Sequence, residues 1–323
     1  MKQEIQTVYF DSLIDDFGIW QHTDGENILR QEGYALDDAA RGLLATLALG
    51  EIGESEVLWS YLMKSRSDSG FYGFATESQE FILSIASDDA TGQTLWAAGY
   101  ALSKKFHPDQ AKSLIADLNM YFDNFAYFRG HAYALLGAIY INKGIAKHYY
   151  SKLQKFLKDS TDEWPWPEPS LTYGNGILPY ALIRYGIKYN DSEAITTGRK
   201  ILEFLEERCT CNRKRGPIGN DDWLPRGSDD IPEFSQQPID AAYMIWAWLA
   251  AFEASKNPDD KNRAELWMNW FEGDNILNTK MYDPQTNKCF DGINPDGVNY
   301  HSGAESNICL LLSKYMLQTE RTI

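Results

Sequence analysis

The chain has 323 residues, of which 44% are hydrophobic and 14% aromatic, so it carries enough apolar side chain to bury a large core. Its 46 acidic residues outnumber 30 basic ones and give a net charge of −16, which argues against a nucleic-acid partner or an anionic membrane surface. It contains no run of about 18 apolar residues, so we expect no transmembrane helix.

Six segments share one design, in which a polar or acidic opening is followed by an apolar helix rich in small residues. In chain order they begin near residues 37, 88, 129, 173, 236 and 303. Starts that recur roughly every 40 to 65 residues indicate a repeating helical architecture. Helices that are apolar all round are usually buried, so we expect these six to form an inner layer.

Longer and more charged segments alternate with the inner ones. We predict outer helices at roughly 3–20, 54–66, 108–124, 145–158, 190–207 and 259–272. In 190–207 the apolar side chains form one stripe with Lys and Glu opposite, which is typical of a helix with one buried face. Six inner and six outer helices predict an all-α (α/α)6 toroid, formed as a single domain over residues 1–323, with the polar helix starts gathered at one mouth.

Long loops rich in Gly, Pro and Asp interrupt this alternation. Residues 208–236 and 273–302 each lead into an inner helix, so we expect both loops to lie over the mouth. The second loop is expected to hold a short hairpin around the turn at residues 285–287. A third loop, 162–175, leads into the fourth inner helix and places Pro179 in its first turn.

The third loop carries the richest combination of functional side chains. Trp166 and Tyr173 can stack on a sugar ring while Glu168 reaches its oxygens. Burial among aromatic rings would raise the pKa of Glu168, as a general acid requires. Asp240 and Glu305 open the last two inner helices and are the candidates, in that order, for base or nucleophile. Paired carboxylates are what glycosidic cleavage needs, although first-turn acids also serve the helix dipole.

Other polar residues at helix starts and in the loops are candidates for binding sugar hydroxyls. They are Asp38, Asp89, Arg129, Asn175, Asn220, Asp221, Arg226 and Gln237, with Trp223 as a further stacking ring. Aspartate is also a preferred N-cap, so one member of each pair Asp37-Asp38 and Asp88-Asp89 has a purely structural alternative.

His131 and His301 both fall near starts of inner helices. Hydrogen-bonded structural histidines are the simpler interpretation. The alternative is substrate binding and acid–base catalysis in a sugar epimerase, because imidazole titrates near neutral pH.

The sequence gives no reason to expect a metal or another cofactor. Residues 291–297 lack the spacing of a calcium loop, and the P-loop, dinucleotide-binding and H-E-x-x-H patterns are not found. The four cysteines (Cys209, Cys211, Cys289 and Cys309) have neither disulfide-framework nor zinc spacing. Reduced thiols and an amphipathic rather than leader-like N-terminal segment predict a cytoplasmic protein.

Taken in order, the segments resemble six-hairpin-glycosidase-like domains found beside or fused to bacterial and archaeal glycosyltransferases. The matching pieces, within about residues 30–317, are DDAARGLLATLAL, SDDATGQTLWAAGYAL, RGHAYALLGAIY, WPWPEPSLTYGNGILPYALI, GNDDWLPRG, QQPIDAAYMIWA, MYDPQTNKCFDGINPDGVN and GAESNICLLL. The resemblance implies an (α/α)6 barrel, a role with mannose-type or related oligosaccharides and a functional link to a glycosyltransferase. The chain departs from the family pattern at Ala39-Ala40, where Asn-Ala is commoner, and at Gly174, where aspartate is usual.

Residues and resemblance together predict a glycoside hydrolase that cleaves short oligosaccharides, with Glu168 as general acid and Asp240 or Glu305 as its partner. A sugar epimerase and a non-catalytic saccharide-binding partner of a glycosyltransferase are the alternatives. In each case the ligand is an oligosaccharide or a monosaccharide.

Overall fold

The computed structural model describes residues 5–68, 70–84, 86–118, 125–211 and 214–323. The α-helices in these ranges are α1 (Val8–Ser12), α2 (Leu36–Leu49), α3 (Ile52–Lys64), α4 (Asp88–Ser103), α5 (Pro108–Leu118), α6 (Phe128–Ala138), α7 (Lys143–Phe156), α8 (Ile177–Tyr189), α9 (Ser192–Arg208), α10 (Pro238–Ser255), α11 (Pro258–Glu272) and α12 (Ala304–Thr319). Two 3-10 turns occupy Arg30–Glu32 and Leu157–Asp159.

Short antiparallel strand pairs lie in the loops between these helices. They are Thr23–Asp24 with Asn27–Ile28, Tyr34–Ala35 with Phe74–Ala75, Arg66–Ser67 with Gly70–Phe71, Ser170–Leu171 with Leu224–Pro225, Thr210–Cys211 with Lys214–Arg215, and Gly292–Asn294 with Gly297–Asn299.

The even-numbered helices form a closed inner ring. Each contacts the next in chain order, and α12 returns to contact α2. Every odd-numbered helix packs outside this ring, with α3, α5, α7, α9 and α11 each against the helix before it and α1 against α12. The predicted (α/α)6 toroid is therefore confirmed, whereas the single-domain boundary at 1–323 stays a prediction.

Side-chain polarity explains which helices lie inside. In α10 every side chain from Pro238 to Ala251 is buried, as expected for a helix that is apolar all round. In α9 the buried positions follow one stripe that includes Ala194, Ile201 and Leu205; the other charged side chains lie off this stripe, but Glu206 is buried and accepts hydrogen bonds from the indoles of Trp248 and Trp267. The apolar pattern of each helix thus fixes its layer.

Glycine allows two inner helices to approach closely. A Cβ added to Gly99 in α4 would lie 2.4 Å from the carbonyl oxygen of Gly137 in α6, and one added to Gly92 would lie 2.4 Å from that of Gly130. Real Cβ atoms cannot occupy such positions, so the α4–α6 contact requires glycine at both levels.

The predicted first outer helix is wrong in length. We expected 3–20, but α1 covers only Val8–Ser12. The side-chain oxygen of Asp15 accepts hydrogen bonds from the backbone N–H groups of Phe17 (2.8 Å) and Gly18 (3.1 Å). This local turn competes with helix and redirects the chain. The predicted end of α5, at 119–124, lies outside the described residues.

The predicted hairpin around residues 285–287 is present as a single antiparallel bridge between Tyr282 and Cys289. A longer pair, Gly292–Asn294 with Gly297–Asn299, follows it. Cys209, Cys289 and Cys309 are free, buried thiols. None of the helices in the described ranges combines the length and hydropathy needed to cross a bilayer.

Candidate functional site

Polar side chains from the starts of all six inner helices meet on one face of the ring. The Arg41 guanidinium of α2 pairs with Glu305 of α12, and the Tyr173 hydroxyl, ahead of α8, donates to Asp89 of α4 (2.9 Å). The following backbone N–H, at Gly174, donates to Asp240 of α10. We name this group the mouth cluster; it comprises Asp37, Asp38, Arg41, Asp89, Arg129, Glu168, Tyr173, Asp240 and Glu305.

Two of the long loops are joined at this mouth. Leu224 pairs with Leu171, and Pro225 with Ser170, in an antiparallel ladder. The backbone N–H of Arg226 extends the pairing by donating to the carbonyl of Pro169 (2.8 Å). The pairing brings Trp223 beside Glu168 and Tyr173, which are 50 or more residues away in sequence.

Arg41 is the centre of one half of the mouth cluster. Its buried guanidinium donates to Asp37 (3.0 Å) and Asp38 (2.9 Å) and also pairs with Glu305. Desolvation, and then the nearby charge of Asp37, raise the pKa of Asp38 well above its usual range. One buried cation therefore positions three carboxyl groups and leaves the local charge negative.

Arg129 organises the other half. Its Nη1 donates to both oxygens of Glu168 (3.2 and 3.0 Å), and its Nε donates to the carbonyl of Tyr173 (2.8 Å). Nη2 donates to the Thr172 hydroxyl (2.6 Å) and the Asn175 side-chain oxygen (3.3 Å). Two hydrogen bonds from one guanidinium hold the Glu168 carboxylate in one orientation and leave its other lone pairs to accept from a ligand hydroxyl. The expected role of Glu168 as general acid stays a prediction.

Asp240 is the carboxyl group whose surroundings fit proton transfer best. It is buried in the first turn of α10 and accepts a 2.6 Å hydrogen bond from the backbone N–H of Gly174. Desolvation raises the pKa of Asp240 to about 7, although that bond and one from the Asn220 amide (3.4 Å) act in the opposite direction. The charge of Glu305 raises it further. A carboxyl group that titrates near neutral pH can act as general acid or general base.

The floor beneath Gly174 consists of two buried tyrosines. The hydroxyls of Tyr133 and Tyr243 are 3.0 Å apart, and burial raises the pKa of both phenols well above the usual range. Gly174 has a φ of +57°, and a Cβ there would lie 3.5 Å from the Tyr243 ring. The left-handed backbone at Gly174 is what aims its N–H at Asp240.

The structure does not bring Trp166 to the mouth surface. Its side chain is 2% exposed, its indole N–H donates to the carbonyl of Ser170 (3.1 Å), and its ring packs edge-to-face on Phe128. No ring face is open for the sugar stacking that we expected. Tyr173 and Trp223, by contrast, keep 41% and 48% of their surfaces exposed.

The two candidate histidines do not converge. His131 is buried toward the outer layer against Tyr149 and Phe156, and desolvation lowers its pKa to about 4. The side chain of His301 is half-exposed on a loop, with its Nε2 3.8 Å from Asp24. The two imidazoles have different neighbours, so these contacts give no support to an acid–base pair made of them, and that pair stays a prediction.

The remaining predicted binding residues mostly order the loops. Asn175 donates to the carbonyl of Thr172 (2.9 Å), Asp221 accepts from Ser235, and Arg226 donates to the Thr161 hydroxyl (3.1 Å). The side-chain amide of Asn220 donates to both Gln237 (3.2 Å) and Asp240 (3.4 Å). Asn220 and Gln237 therefore lie at the edge of the mouth cluster.

Sequence reasoning missed Arg41 and the tyrosine pair. Arg41 is the one basic residue of α2, three and four positions after Asp38 and Asp37, a spacing that places the three side chains on one helix face. That spacing was the available signal. Within the described residues, no three His, Cys, Asp or Glu side chains are arranged to hold a metal ion.

Among known proteins, the likeness of this chain is one of structure only. No family model matches the sequence, and no curated protein does so. A sugar epimerase from a ruminal bacterium superposes with a TM-score of 0.74 at 10% identity, covering 98% of this chain and 97% of the other. A cellobiose 2-epimerase from Bacillus thermoamylovorans gives 0.73 at 11% identity, with coverage of 94% and 95%.

A glycoside hydrolase family 76 α-mannanase from Bacteroides thetaiotaomicron gives a TM-score of 0.63 at 10% identity, covering 97% of this chain and 93% of that one. At such low identity these likenesses establish the fold alone: the chain has the (α/α)6 toroid architecture that six-hairpin glycosidases and these sugar epimerases share.

Proposed function

We propose that the protein is a carbohydrate-active enzyme, a glycoside hydrolase that acts on neutral oligosaccharides with Asp240 as its general acid. The observation that carries the proposal is a buried carboxyl group with a pKa of about 7 at the mouth of an (α/α)6 ring. The fold is shared with an α-mannanase and with sugar epimerases, which supports a saccharide as the ligand.

In the proposed reaction, protonated Asp240 gives its proton to the glycosidic oxygen as the bond to the anomeric carbon breaks. Glu305 removes a proton from the water that attacks this carbon. The Glu305 side chain is 35% exposed, so water can reach its carboxylate, and the ion pair with Arg41 fixes its position. One C–O bond breaks and one forms. The proton that Asp240 gives up is matched by the one that Glu305 takes from water, and exchange with solvent restores both carboxyl groups.

Charge at the mouth favours an uncharged substrate. The mouth cluster has six carboxyl groups and two guanidinium groups, those of Arg41 and Arg129. Burial raises the pKa of Asp38, Asp89 and Asp240, but even with these three protonated the other three carboxylates outnumber the two cations. Coulomb repulsion would oppose sugar phosphates and uronic acids, whereas a neutral sugar has hydroxyl groups for every acceptor.

A sugar epimerase is the second candidate, and the TM-scores of 0.74 and 0.73 with two epimerases favour it. Without a converging histidine pair, proton transfer at the sugar carbon would fall to Asp240. A third candidate, suggested by the resemblance to domains associated with glycosyltransferases, is a non-catalytic saccharide-binding partner.

Product analysis by proton NMR separates these candidates. The protein is incubated with cellobiose, maltose and the α-1,2-, α-1,3- and α-1,6-mannobioses, and the anomeric signals are followed. Hydrolysis of any of them, lost in Asp240→Asn and kept in the exposed control Asp159→Asn, supports the proposal. A changed sugar configuration at constant reducing-end count would instead identify an epimerase, and binding without turnover would identify a binding module.

A further inference from the structure

A cavity of about 360 Å³ lies beside the mouth cluster, and the proposed reaction does not use it. It is lined by Tyr127, Arg129, Glu168, Thr172, Tyr173 and Trp223, together with Pro169 and Ser170. We call it the rim cavity. It opens between the strand pair of Ser170–Leu171 with Leu224–Pro225 and the start of α6 at Tyr127 and Arg129.

Three aromatic rings around the rim cavity are unusually exposed. Tyr127, Tyr173 and Trp223 keep 64%, 41% and 48% of their surfaces accessible. Large rings that surround one concavity and stay in water mark a binding surface, because their burial in a core would otherwise be favoured. By contrast, Trp164 and Trp166, which lie on the same loop as Tyr173, are buried.

Trp223 also has an unfavourable backbone. Its φ is +53°, in the left-handed region that bulky residues rarely adopt. The next residue, Leu224, is buried and pairs with Leu171, so the strand holds the indole at the rim. Position 223 is tryptophan although glycine would fit this backbone better, and we take this strain as a sign that the ring has a use.

The polar side of the rim cavity is the Arg129–Glu168 ion pair. Arg129 is almost fully buried, whereas the Glu168 side chain is 25% exposed, so its carboxylate is the part that a ligand can reach. The two charges cancel, which suits a neutral ligand. Carboxylate acceptors beside aromatic faces are what a sugar ring needs, since its C–H face stacks and its hydroxyls donate.

The rim cavity and the proposed acid are adjacent. Tyr173 lines the cavity, and the next residue, Gly174, donates its N–H to Asp240. The cavity wall and the backbone group that positions the proposed acid are therefore consecutive residues, with Cα atoms about 3.8 Å apart.

We propose that the rim cavity is a second sugar subsite, which binds a neutral unit of an oligosaccharide while the adjoining unit lies at Asp240. This inference rests on the proposed function for the reacting unit, and it makes the substrate at least a disaccharide. Glu168 is then a hydroxyl acceptor of this subsite, and Tyr127, Tyr173 and Trp223 are its stacking rings.

Calorimetric binding tests the subsite independently of catalysis. Wild type and Asp240→Asn are titrated with glucose, mannose, cellobiose, maltose and the three mannobioses. We expect at least one disaccharide to bind more tightly than its monosaccharide. In the Asp240→Asn background, Trp223→Gly and Tyr127→Ala should each weaken the binding of that disaccharide roughly fivefold or more. Trp223→Phe keeps an aromatic ring and should retain much of the affinity.

Trp223→Gly carries a second readout. Because glycine accepts a φ of +53°, the variant should have an unchanged or raised melting temperature while it loses affinity. A tryptophan that only packs the loop would give a lower melting temperature. Tyr300→Ala, which removes a 60% exposed ring outside the rim cavity, is the matched control and should bind as wild type does.

Wild-type affinity in both Trp223→Gly and Tyr127→Ala would overturn the subsite, as would the absence of binding to every disaccharide. Aromatic-dependent binding without turnover would keep the subsite and overturn the hydrolase. Turnover with a KM that neither substitution changes would keep the hydrolase and overturn the subsite.

Discussion

Replacing Asp240 with asparagine should change how the stability of the protein depends on pH. Burial raises the pKa of Asp240 from an ordinary value of 3.8 to about 7 in the folded protein. The folded state therefore keeps a proton that the unfolded state has already released. The stability that this proton confers is fully present below about pH 4 and is lost as the pH rises through 7.

At about 1.4 kcal/mol per pH unit, the wild type should lose about 2.5 kcal/mol of unfolding free energy through this group between pH 5 and 8. Asparagine keeps the side-chain oxygen that accepts from Gly174 but does not titrate. Between pH 5 and pH 8, the unfolding free energy of Asp240→Asn should therefore rise by about 2.5 kcal/mol relative to that of wild type.

Urea unfolding followed by circular dichroism at pH 5, 6, 7 and 8 measures this difference. Asp159→Asn, at an exposed position, controls for removal of one carboxylate and should follow the wild type. If wild type and Asp240→Asn lose stability in parallel over this range, Asp240 has an ordinary pKa and the reasoning about its burial is refuted.

Three further substitutions test other parts of the structure. Arg41→Met leaves three carboxyl groups without their buried cation, so we expect a loss of about 3–5 kcal/mol in urea unfolding; near-wild-type stability would contradict the pairing. Gly99→Ala places a Cβ 2.4 Å from the carbonyl of Gly137 and should cost about 1–3 kcal/mol, whereas Gly53→Ala, which meets nothing within 4 Å, should not destabilise; equal melting temperatures would count against the α4–α6 contact. His131→Phe should lower stability but keep saccharide turnover, and a folded, inactive variant would restore a chemical role for this imidazole.

The architecture could be predicted because it depends on local patterns. Apolar periodicity separates inner from outer helices, and acidic or polar openings mark the inner starts, so α2, α4 and α10 begin within two residues of the predicted positions. The first outer helix escaped prediction because a side-chain turn at Asp15 ends it early.

The candidate site was less predictable, because its chemistry depends on contacts between distant segments. Arg41 and Glu305 are 264 positions apart, and no local sequence pattern predicts that they pair. Glu168 and Asp240 are both carboxylates near aromatic residues in the sequence. Only the fold reveals that Glu168 binds a guanidinium while Asp240 is desolvated. Trp166 and Trp223 differ for the same reason, since Trp166 packs on Phe128 of α6 while Trp223 stays exposed beside the strand pair.

The pH dependence of saccharide turnover tests most directly whether Asp240 is the general acid. Reducing-end release from the disaccharide that is hydrolysed is measured between pH 5 and 9 in wild type, Asp240→Asn and Asp159→Asn. Since a general acid must carry its proton, wild-type turnover should fall as the pH rises through about 7. Asp240→Asn should lose about 100-fold or more in kcat at every pH, and Asp159→Asn should match the wild type. Wild-type turnover in Asp240→Asn, with the same decline above pH 7, would contradict the account.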